Sequence, residues 1–237
     1  MERLITTSWD DGHEADFRLA DLLEKYNVKA TFYIPKTNAE RKVMPARMVR
    51  ELADRFEVGG HTLQHVRLHN RSSKIIADEI NGSYHWLSNL TGKAPVSFCF
   101  PGGKYNQQAI LQAHASGFRV LRTTELLSIV GSQAQGLVPT TLQLFQHTKA
   151  TYFKHLVKHR RWSNLLTWIK ASGLVTLEKL TEYYLVNIER SGGCFHLWGH
   201  SWEIEENNLW DELEIILKHI SNRTGFTYIE NKEILSL

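Results

Sequence analysis

Two adjacent carboxylates, Asp10 and Asp11, are the first side chains in this sequence whose type and spacing suit chemistry. They follow a short apolar run that predicts a β-strand, and Gly12 comes directly after them. Neighbouring strand side chains point to opposite faces, so both carboxylates can face one site only if the chain turns there, which Gly12 allows. Carboxylates this close resist ionising together unless a cation lies between them or one keeps a proton. The pair indicates a metal site, an acid–base group or both, with a simple Asp-Gly turn as the structural alternative.

His61 and His65 are four residues apart and follow Gly59-Gly60 at the end of a predicted strand. On a helical turn this spacing puts both imidazoles on one face, where they can bind one cation. Together with Asp11 they would form a set of two histidines and one carboxylate that leaves coordination positions open. Such a set binds Zn²⁺, Fe²⁺, Co²⁺, Mn²⁺ or Ni²⁺, and the residues alone do not choose among these ions.

A cation with open positions can polarise a carbonyl and activate a water, and hydrolysis then also requires a base and an acid. Asp10, next to the candidate ligand Asp11, is placed to be the base. His200 is the best candidate for the acid, because an imidazole can give up a proton near neutral pH. His196, on the same predicted strand, is the weaker candidate because it lies deeper in an apolar run.

The elements that must position these residues alternate along the chain. Apolar runs predict strands over residues 4–7, 30–34, 58–60, 96–100, 118–121, 137–145, 194–198 and 226–229. Helical periodicity and caps predict helices over 17–26, 45–56, 74–90, 107–116, 152–171, 176–190 and 209–223. Alternating βα units predict a parallel sheet in a single domain over residues 1–237, with function at the carboxyl ends of its strands.

Composition narrows the class of protein. The chain has 237 residues, of which 42% are hydrophobic and 22% charged, as in ordinary globular domains. A net charge of +3 is too small to indicate a nucleic-acid partner. No apolar run reaches the length of a membrane span, and the first residues enter a strand instead of a signal peptide. We therefore expect a cytoplasmic protein with no membrane span.

Four segments of the chain resemble three motifs of a known family. Asp10-Asp11-Gly12 and Ala30-Thr31-Phe32-Tyr33 resemble the opening motif of the polysaccharide deacetylases, a carbohydrate esterase family that includes the nodulation-type chitooligosaccharide deacetylases. His61-Thr62-Leu63-Gln64-His65 resembles the second motif, and Leu197-Trp198-Gly199-His200 resembles the last. The resemblance extends from the first strand to about Glu203, which is most of the chain.

The resemblance implies a role for each of these side chains. Asp11, His61 and His65 would bind a divalent metal, usually zinc, while Asp10 would be the base and His200 the acid. The fold would be a distorted (β/α) barrel of about seven strands. The reaction would be the metal-dependent hydrolysis of N-acetyl groups from an acetylated sugar or oligosaccharide, with release of acetate.

Two motifs of the family are altered in this chain. The third motif commonly contains an arginine that steadies the base, and here Cys99 lies near its place. The fourth motif is not recognisable near Arg122-Thr123-Thr124. We predict that Arg122, at the end of the next strand, supplies the missing charge to Asp10, the alternative being an ordinary surface ion pair.

Substrate contacts are expected from two loops. Pro101, Gly102 and Gly103 follow the strand over 96–100, and glycines there let a backbone N–H approach the substrate and hold a developing oxyanion. Trp202, beyond the strand that precedes His200, is predicted to stack on the sugar, whereas Trp198 is better explained as core.

Other functions fit part of this pattern. A non-haem iron oxygenase uses the same three ligands, but this interpretation gives Asp10 and His200 no role, and such ligands usually lie on a jelly roll without βα alternation. A carbohydrate-binding member of the family with weak or lost turnover is a second alternative. A metal-dependent amidase that acts on a non-sugar substrate is a third.

Overall fold

The computed structural model describes residues 2–145 and 176–235. Within these residues nine strands form one sheet, and every paired neighbour is parallel. The strands are β1 (Arg3–Asp10), β2 (Ala30–Ile34), β3 (Glu57–Gly60), β4 (Ser97–Cys99), β5 (Val120–Arg122), β6 (Leu137–Val138), β7 (Leu142–Gln143), β8 (Gly193–Gly199) and β9 (Thr227–Tyr228). Their order is β6-β5-β4-β3-β2-β1-β8-β7, and β9 pairs with β1.

Helices connect most of the strands and cover the outside of the sheet. They are α1 (Asp16–Lys25), α2 (Ala46–Arg55), α3 (Ser73–Thr91), α4 (Gln107–Ser116), α5 (Leu177–Ser191), α6 (Ser201–Glu206) and α7 (Trp210–Ile220). Capping residues explain both ends of α3. The Ser72 side chain accepts the N–H of Ile75 at its start, and Gly92 ends the helix with a φ of 69°. The helix predicted over 152–171 lies outside the described residues.

The sheet curls until its two edges nearly meet. β6 and β7 lie at opposite ends of the strand order, yet only residues 139–141 separate them in the chain. A connection this short spans at most about 14 Å, so the two edges must be close together. The distorted (β/α) barrel predicted from the sequence is thus confirmed. The single strand predicted over 137–145 is wrong, because Pro139 interrupts the run and the halves pair with opposite edges.

The strand count also differs from the expected figure of about seven. Three of the nine described strands, β6, β7 and β9, are only two residues long. The other six form the regular part of the barrel wall, and they supply the loops at its carboxyl end.

Side-chain alternation fills the inside of the barrel with polar groups. On β1, Ile5 and Trp9 belong to the main hydrophobic cluster, whereas Ser8, between them, bonds to His196 of β8 at 2.8 Å. Thr6, also on β1, donates to the Asn231 side chain at 2.9 Å. The apolar core therefore lies between sheet and helices, and a polar column runs along the barrel interior.

Glu57 anchors the amino end of this column. It is the first residue of β3, and its carboxylate accepts hydrogen bonds from Thr31 Oγ1 and Ser97 Oγ, both at 2.6 Å, and from the Lys232 N–H at 2.9 Å. Lys232 belongs to a short 3₁₀ turn, Asn231–Glu233, that closes this end of the barrel. The amino end is thus plugged, which leaves the carboxyl end for a site.

None of the helices in the described part of the chain combines the length and the apolar content needed to cross a bilayer.

Candidate active site

The turn predicted at the first carboxylate pair is present. Asp10 is the last residue of β1. The backbone of Asp11 has a φ of 80°, in the left-handed region that residues other than glycine seldom adopt. Gly12 follows with a φ of 65°, and a Cβ at this position would lie 2.6 Å from Cγ2 of Ile34. The strained turn brings Asp10 and Asp11 to the same cleft, and it requires glycine at position 12.

His61 and His65 also reach this cleft, but not from a helix. Residues 61–65 form an irregular loop after β3, in which Thr62 and His65 both have a φ of 58°. The Thr62 hydroxyl accepts the N–H of Val66 at 2.9 Å, and the Glu79 carboxylate accepts the N–H of Gln64 at 2.9 Å. The helical turn predicted here is wrong, because these side-chain bonds hold a different backbone that still brings the two imidazoles together.

Asp11, His61 and His65 present their ligand atoms to one point. Nε2 of His65 lies 3.0 Å and Nε2 of His61 lies 3.5 Å from Asp11 Oδ1. This oxygen is buried and has no hydrogen-bond donor among the described residues. The His61 Nδ1 lies 2.8 Å from the carbonyl oxygen of Cys99, which can only accept, so Nδ1 carries the proton and Nε2 offers a lone pair. The three residues therefore fit a cation.

The electrostatics around Asp11 favour its charged form. Burial alone would raise the pKa of Asp11, but the adjacent imidazoles of His61, His65 and His200 lower that pKa well below its usual range. A charged carboxylate with two imidazoles is a donor set typical of zinc and of the neighbouring first-row metals.

A second possible ligand group lies beside the first and fits a cation less well. It consists of Asp10, His61 and Cys99. Asp10 is already bonded to Arg122, whose positive charge opposes a cation. Burial raises the pKa of the Cys99 thiol well above its usual range, so the sulfur keeps its proton. Of the two groups found among the described residues, the one with two histidines is therefore the better metal site.

Arg122 contacts the candidate base from the neighbouring strand. Its Nη2 donates to Asp10 Oδ1, and both side chains are buried, so this is not a surface ion pair. In the β4–β5 register Arg122 lies directly opposite Cys99. The guanidinium faces the rings of Tyr33 and Trp198, 5.3 and 4.6 Å from their centroids. Burial would lower the pKa of Arg122, but the Asp10 charge outweighs burial and raises it.

His200 follows β8 and faces the same cleft. Its Nδ1 lies 3.3 Å from Glu203 Oε2, and its Nε2 lies 3.9 Å from Asp11 Oδ2. Burial would lower the pKa of His200, but the carboxylates of Glu203, Asp10 and Asp11 outweigh it and raise the pKa. Glu203 in turn accepts from Gln143 Nε2 at 3.1 Å. The sequence indicates no such supporting role for Gln143, because the contact depends on how β7 meets α6.

His196 is a core residue. Its Nδ1 lies 3.2 Å from the Pro139 carbonyl oxygen and its Nε2 lies 2.8 Å from Ser8 Oγ, which fixes the tautomer with the proton on Nδ1. Burial and the charge of Arg122 lower the pKa of His196 to about 3. A neutral imidazole with both nitrogens engaged is poorly suited to be the acid.

The loop after β4 approaches the cleft through one of its three candidate residues. Pro101 has no N–H, and Gly103 donates its N–H to the Phe100 carbonyl at 2.8 Å. Gly102 has a φ of 60° and lines the cleft. Gly102 is therefore the better candidate of the three for a substrate contact.

The cleft over these residues has a volume of about 390 Å³. Its lining residues are Asp10, Asp11, Glu40, His61, His65, Arg67, Gly102, Thr124, Leu126, Gln143, Trp198, His200 and Trp202. A cleft of this size is in the range that binds small ligands. It brings the predicted base, acid and ligand residues to one place.

Comparison with known proteins gives the family. A model of the polysaccharide deacetylase family matches residues 1–121. The chain belongs to the polysaccharide deacetylase family. A peptidoglycan-N-acetylglucosamine deacetylase of Bacillus cereus is 26% identical over 122 residues, which cover 51% of this chain and 56% of the relative. The chain thus spans about half the length of the curated relatives it matches.

Solved structures match the fold over nearly the whole chain. A family 4 acetyl xylan esterase from Clostridium thermocellum, crystallised with a cobalt ion, has a TM-score of 0.61 at 18% identity and covers 99% of this chain and 91% of its own. BA3943 of Bacillus anthracis, described as a CE4 family pseudoenzyme, has a TM-score of 0.56 at 14% identity and covers 93% and 62%. At such low identities these two structures show the fold alone.

Proposed function

We propose that this polysaccharide deacetylase family member is a metal-dependent hydrolase that removes N-acetyl groups from an acetylated sugar or oligosaccharide. The observation that carries the proposal is the buried Asp11 Oδ1, which has no donor within residues 2–145 and 176–235 and faces two imidazole nitrogens, next to an Asp10 held by Arg122. Residues 1–237 would form one catalytic domain. The name of the Bacillus cereus relative, a peptidoglycan-N-acetylglucosamine deacetylase, supports this substrate class.

Asp11, His61 and His65 would hold a divalent cation, zinc first, with cobalt, nickel, manganese and iron also compatible with the donors. When bound, it would polarise the acetyl carbonyl and lower the pKa of a water. Asp10 would take the proton of the attacking water, because its carboxylate opens on the cleft and the buried Arg122 holds it in one orientation. The backbone at Gly102 would contact the developing oxyanion.

His200 would complete the reaction as the acid. Glu203 holds its Nδ1, which leaves Nε2 on the side of Asp11 and the cleft. The surrounding carboxylates raise the pKa of His200 and so favour the protonated imidazole that an acid requires. That proton would pass to the sugar nitrogen as the C–N bond breaks, so that the hydroxyl of water ends on acetate and the sugar leaves as an amine.

Acetate release tests this proposal. The full-length chain is stripped of metal, given Zn²⁺, Co²⁺ or Ni²⁺, and incubated with N-acetylated oligosaccharides, beside Asp10→Asn and His200→Ala. We expect metal-restored release in the wild type and a loss of about 10²- to 10⁴-fold in each variant. A protein that binds one metal per chain yet releases no acetate would contradict this deacetylase and favour first a metal-dependent amidase with a different acyl substrate, and second a carbohydrate-binding role.

A further inference from the structure

Trp202 touches the candidate metal ligand directly. It is the second residue of α6, and its indole Nε1–H donates to Asp11 Oδ2 at 2.8 Å. The other oxygen, Oδ1, is the one that faces His61 and His65. The two oxygens of the Asp11 carboxylate therefore have different partners: Oδ2 accepts from the indole, and Oδ1 faces the imidazoles.

The indole itself is fixed by its neighbours. The Arg41 guanidinium lies 3.4 Å from the centroid of the Trp202 ring, and the His200 ring lies 5.0 Å away at an interplanar angle of 35°. Arg41 comes from the loop between β2 and α2, and it binds both carboxylate oxygens of Glu206, the last residue of α6, at 2.5 and 3.3 Å. With its ring packed against Arg41 and His200, Trp202 is poorly placed to stack on a sugar.

We propose that Trp202 is a positioning residue for Asp11, held in place by Arg41 and Glu206. Its N–H fixes the rotation of the Asp11 carboxylate and occupies Oδ2, so that Oδ1 alone is presented to the cation. This inference rests on the proposed function, because it assumes a metal ion at Asp11. Hydrogen-bond partners of metal ligands typically contribute 10- to 100-fold to metal affinity or activity.

The chain contains a matched arrangement away from the site. The Trp210 Nε1–H donates to Glu205 Oε2 at 2.6 Å, and the Arg18 guanidinium lies 4.0 Å from the centroid of the Trp210 ring. Glu205 belongs to neither of the ligand groups found among the described residues. Replacing Trp210 by Phe therefore removes the same kind of hydrogen bond and makes the same change in a ring beside an arginine, without touching a candidate ligand.

The test is the zinc affinity of the full-length, metal-stripped chain, measured by competition with a chelator, for the wild type, Trp202→Phe and Trp210→Phe. We expect Trp202→Phe to bind zinc about 10- to 100-fold more weakly and Trp210→Phe to bind it like the wild type. If Trp202→Phe does not fold, Arg41→Met keeps the indole N–H but loosens the ring, and we expect a loss of about two- to fivefold.

Three results would overturn the inference. A positioning role is excluded if Trp202→Phe binds zinc as tightly as the wild type. If only Arg41→Met folds, unchanged zinc affinity in that variant excludes it. Unchanged affinity with a raised KM for the oligosaccharide would assign Trp202 to sugar binding instead. A wild-type chain that takes up no zinc would overturn this inference and the metal-dependent function together, whereas normal zinc uptake and acetate release by the wild type would leave the proposed function standing.

Discussion

Two carboxylates at opposite ends of the barrel are equally buried. Glu57 lies at the amino end and Asp11 at the carboxyl end, and each has 6% of its surface exposed. Their surroundings differ. Glu57 accepts from two hydroxyls and a backbone N–H, so both of its oxygens are bonded. Asp11 accepts from an indole on Oδ2 only, and Oδ1 has no donor among the described residues.

The difference separates a carboxylate whose oxygens are both hydrogen-bonded from one that fits the proposed metal site. Buried polar groups are normally hydrogen-bonded, so an oxygen that has no donor in the described part of the chain and faces two imidazoles is a candidate metal ligand. Burial raises the pKa of Glu57, and its hydroxyl and N–H partners only offset this in part. The pKa of Asp11 moves the other way because imidazoles surround it. One carboxylate closes the barrel, and the other is kept in its charged form.

The largest expected effect is that of Asp11→Asn on zinc affinity. The amide removes the negative charge between His61 and His65, so the affinity should fall by more than the 10- to 100-fold that is typical of losing a ligand's hydrogen-bond partner. Titration of metal-stripped protein with zinc measures this. Wild-type affinity in the variant would show that Asp11 is no more functional than Glu57.

Arg122→Met should produce the next largest effect, on the free energy of unfolding. Removing one partner of a buried ion pair leaves Asp10 as an uncompensated charge and costs about 3–5 kcal/mol. The double variant Asp10→Asn/Arg122→Met should recover much of that loss, because no buried charge is left unpaired. Urea denaturation of the two variants measures both values. Equal stability of the single and double variants would contradict the coupling.

His196, midway between the two ends, should make stability depend on pH. Its pKa is about 3 in the folded protein against an ordinary value of 6.5, so between these values the unfolded chain binds the extra proton. Stability should therefore fall as the pH falls from 6.5 toward 3, by up to about 1.4 kcal/mol per pH unit from this group. His196→Gln should have a correspondingly flatter profile in urea denaturation across pH 4–7. If stability depended on pH in the same way in the wild type and in His196→Gln, His196 would not be the source of the pH dependence.

Glu57→Gln should have the smallest effect of the four. The amide NH₂ replaces an oxygen that accepts from a hydroxyl or an N–H, and a mismatched buried hydrogen bond costs about 1–3 kcal/mol of stability. Zinc affinity should stay at the wild-type value, because Glu57 lies at the opposite end of the barrel. A weakened zinc affinity in this variant would abolish the functional distinction between the two carboxylates.

The sequence predicts the convergence of Asp10, Asp11, His61 and His65 because each follows a strand, and the carboxyl ends of parallel strands share one edge of the sheet. The barrel follows from the same βα alternation. These inferences need only local patterns and a general rule of topology.

The features of the structure that the sequence does not predict depend on strand register and on long-range packing. The sequence predicts the contact of Arg122 with Asp10, but no local pattern states that Arg122 lies directly opposite Cys99 in the β4–β5 register. The Trp202–Asp11 bond joins residues 191 positions apart. In the loop over residues 61–65, the backbone of Thr62 and of His65 is left-handed. Neither position has a glycine or an asparagine, the residues from which a left-handed backbone is usually predicted.

The most direct test of the metal site is the zinc K-edge X-ray absorption spectrum of the full-length chain loaded with one equivalent of zinc. Asp11, His61 and His65 predict only nitrogen and oxygen ligands at about 2.0–2.2 Å, with the outer scattering of two imidazoles. A sulfur ligand at about 2.3 Å would instead place the ion between Asp10, His61 and Cys99 and would contradict the assignment of Asp10 as the base.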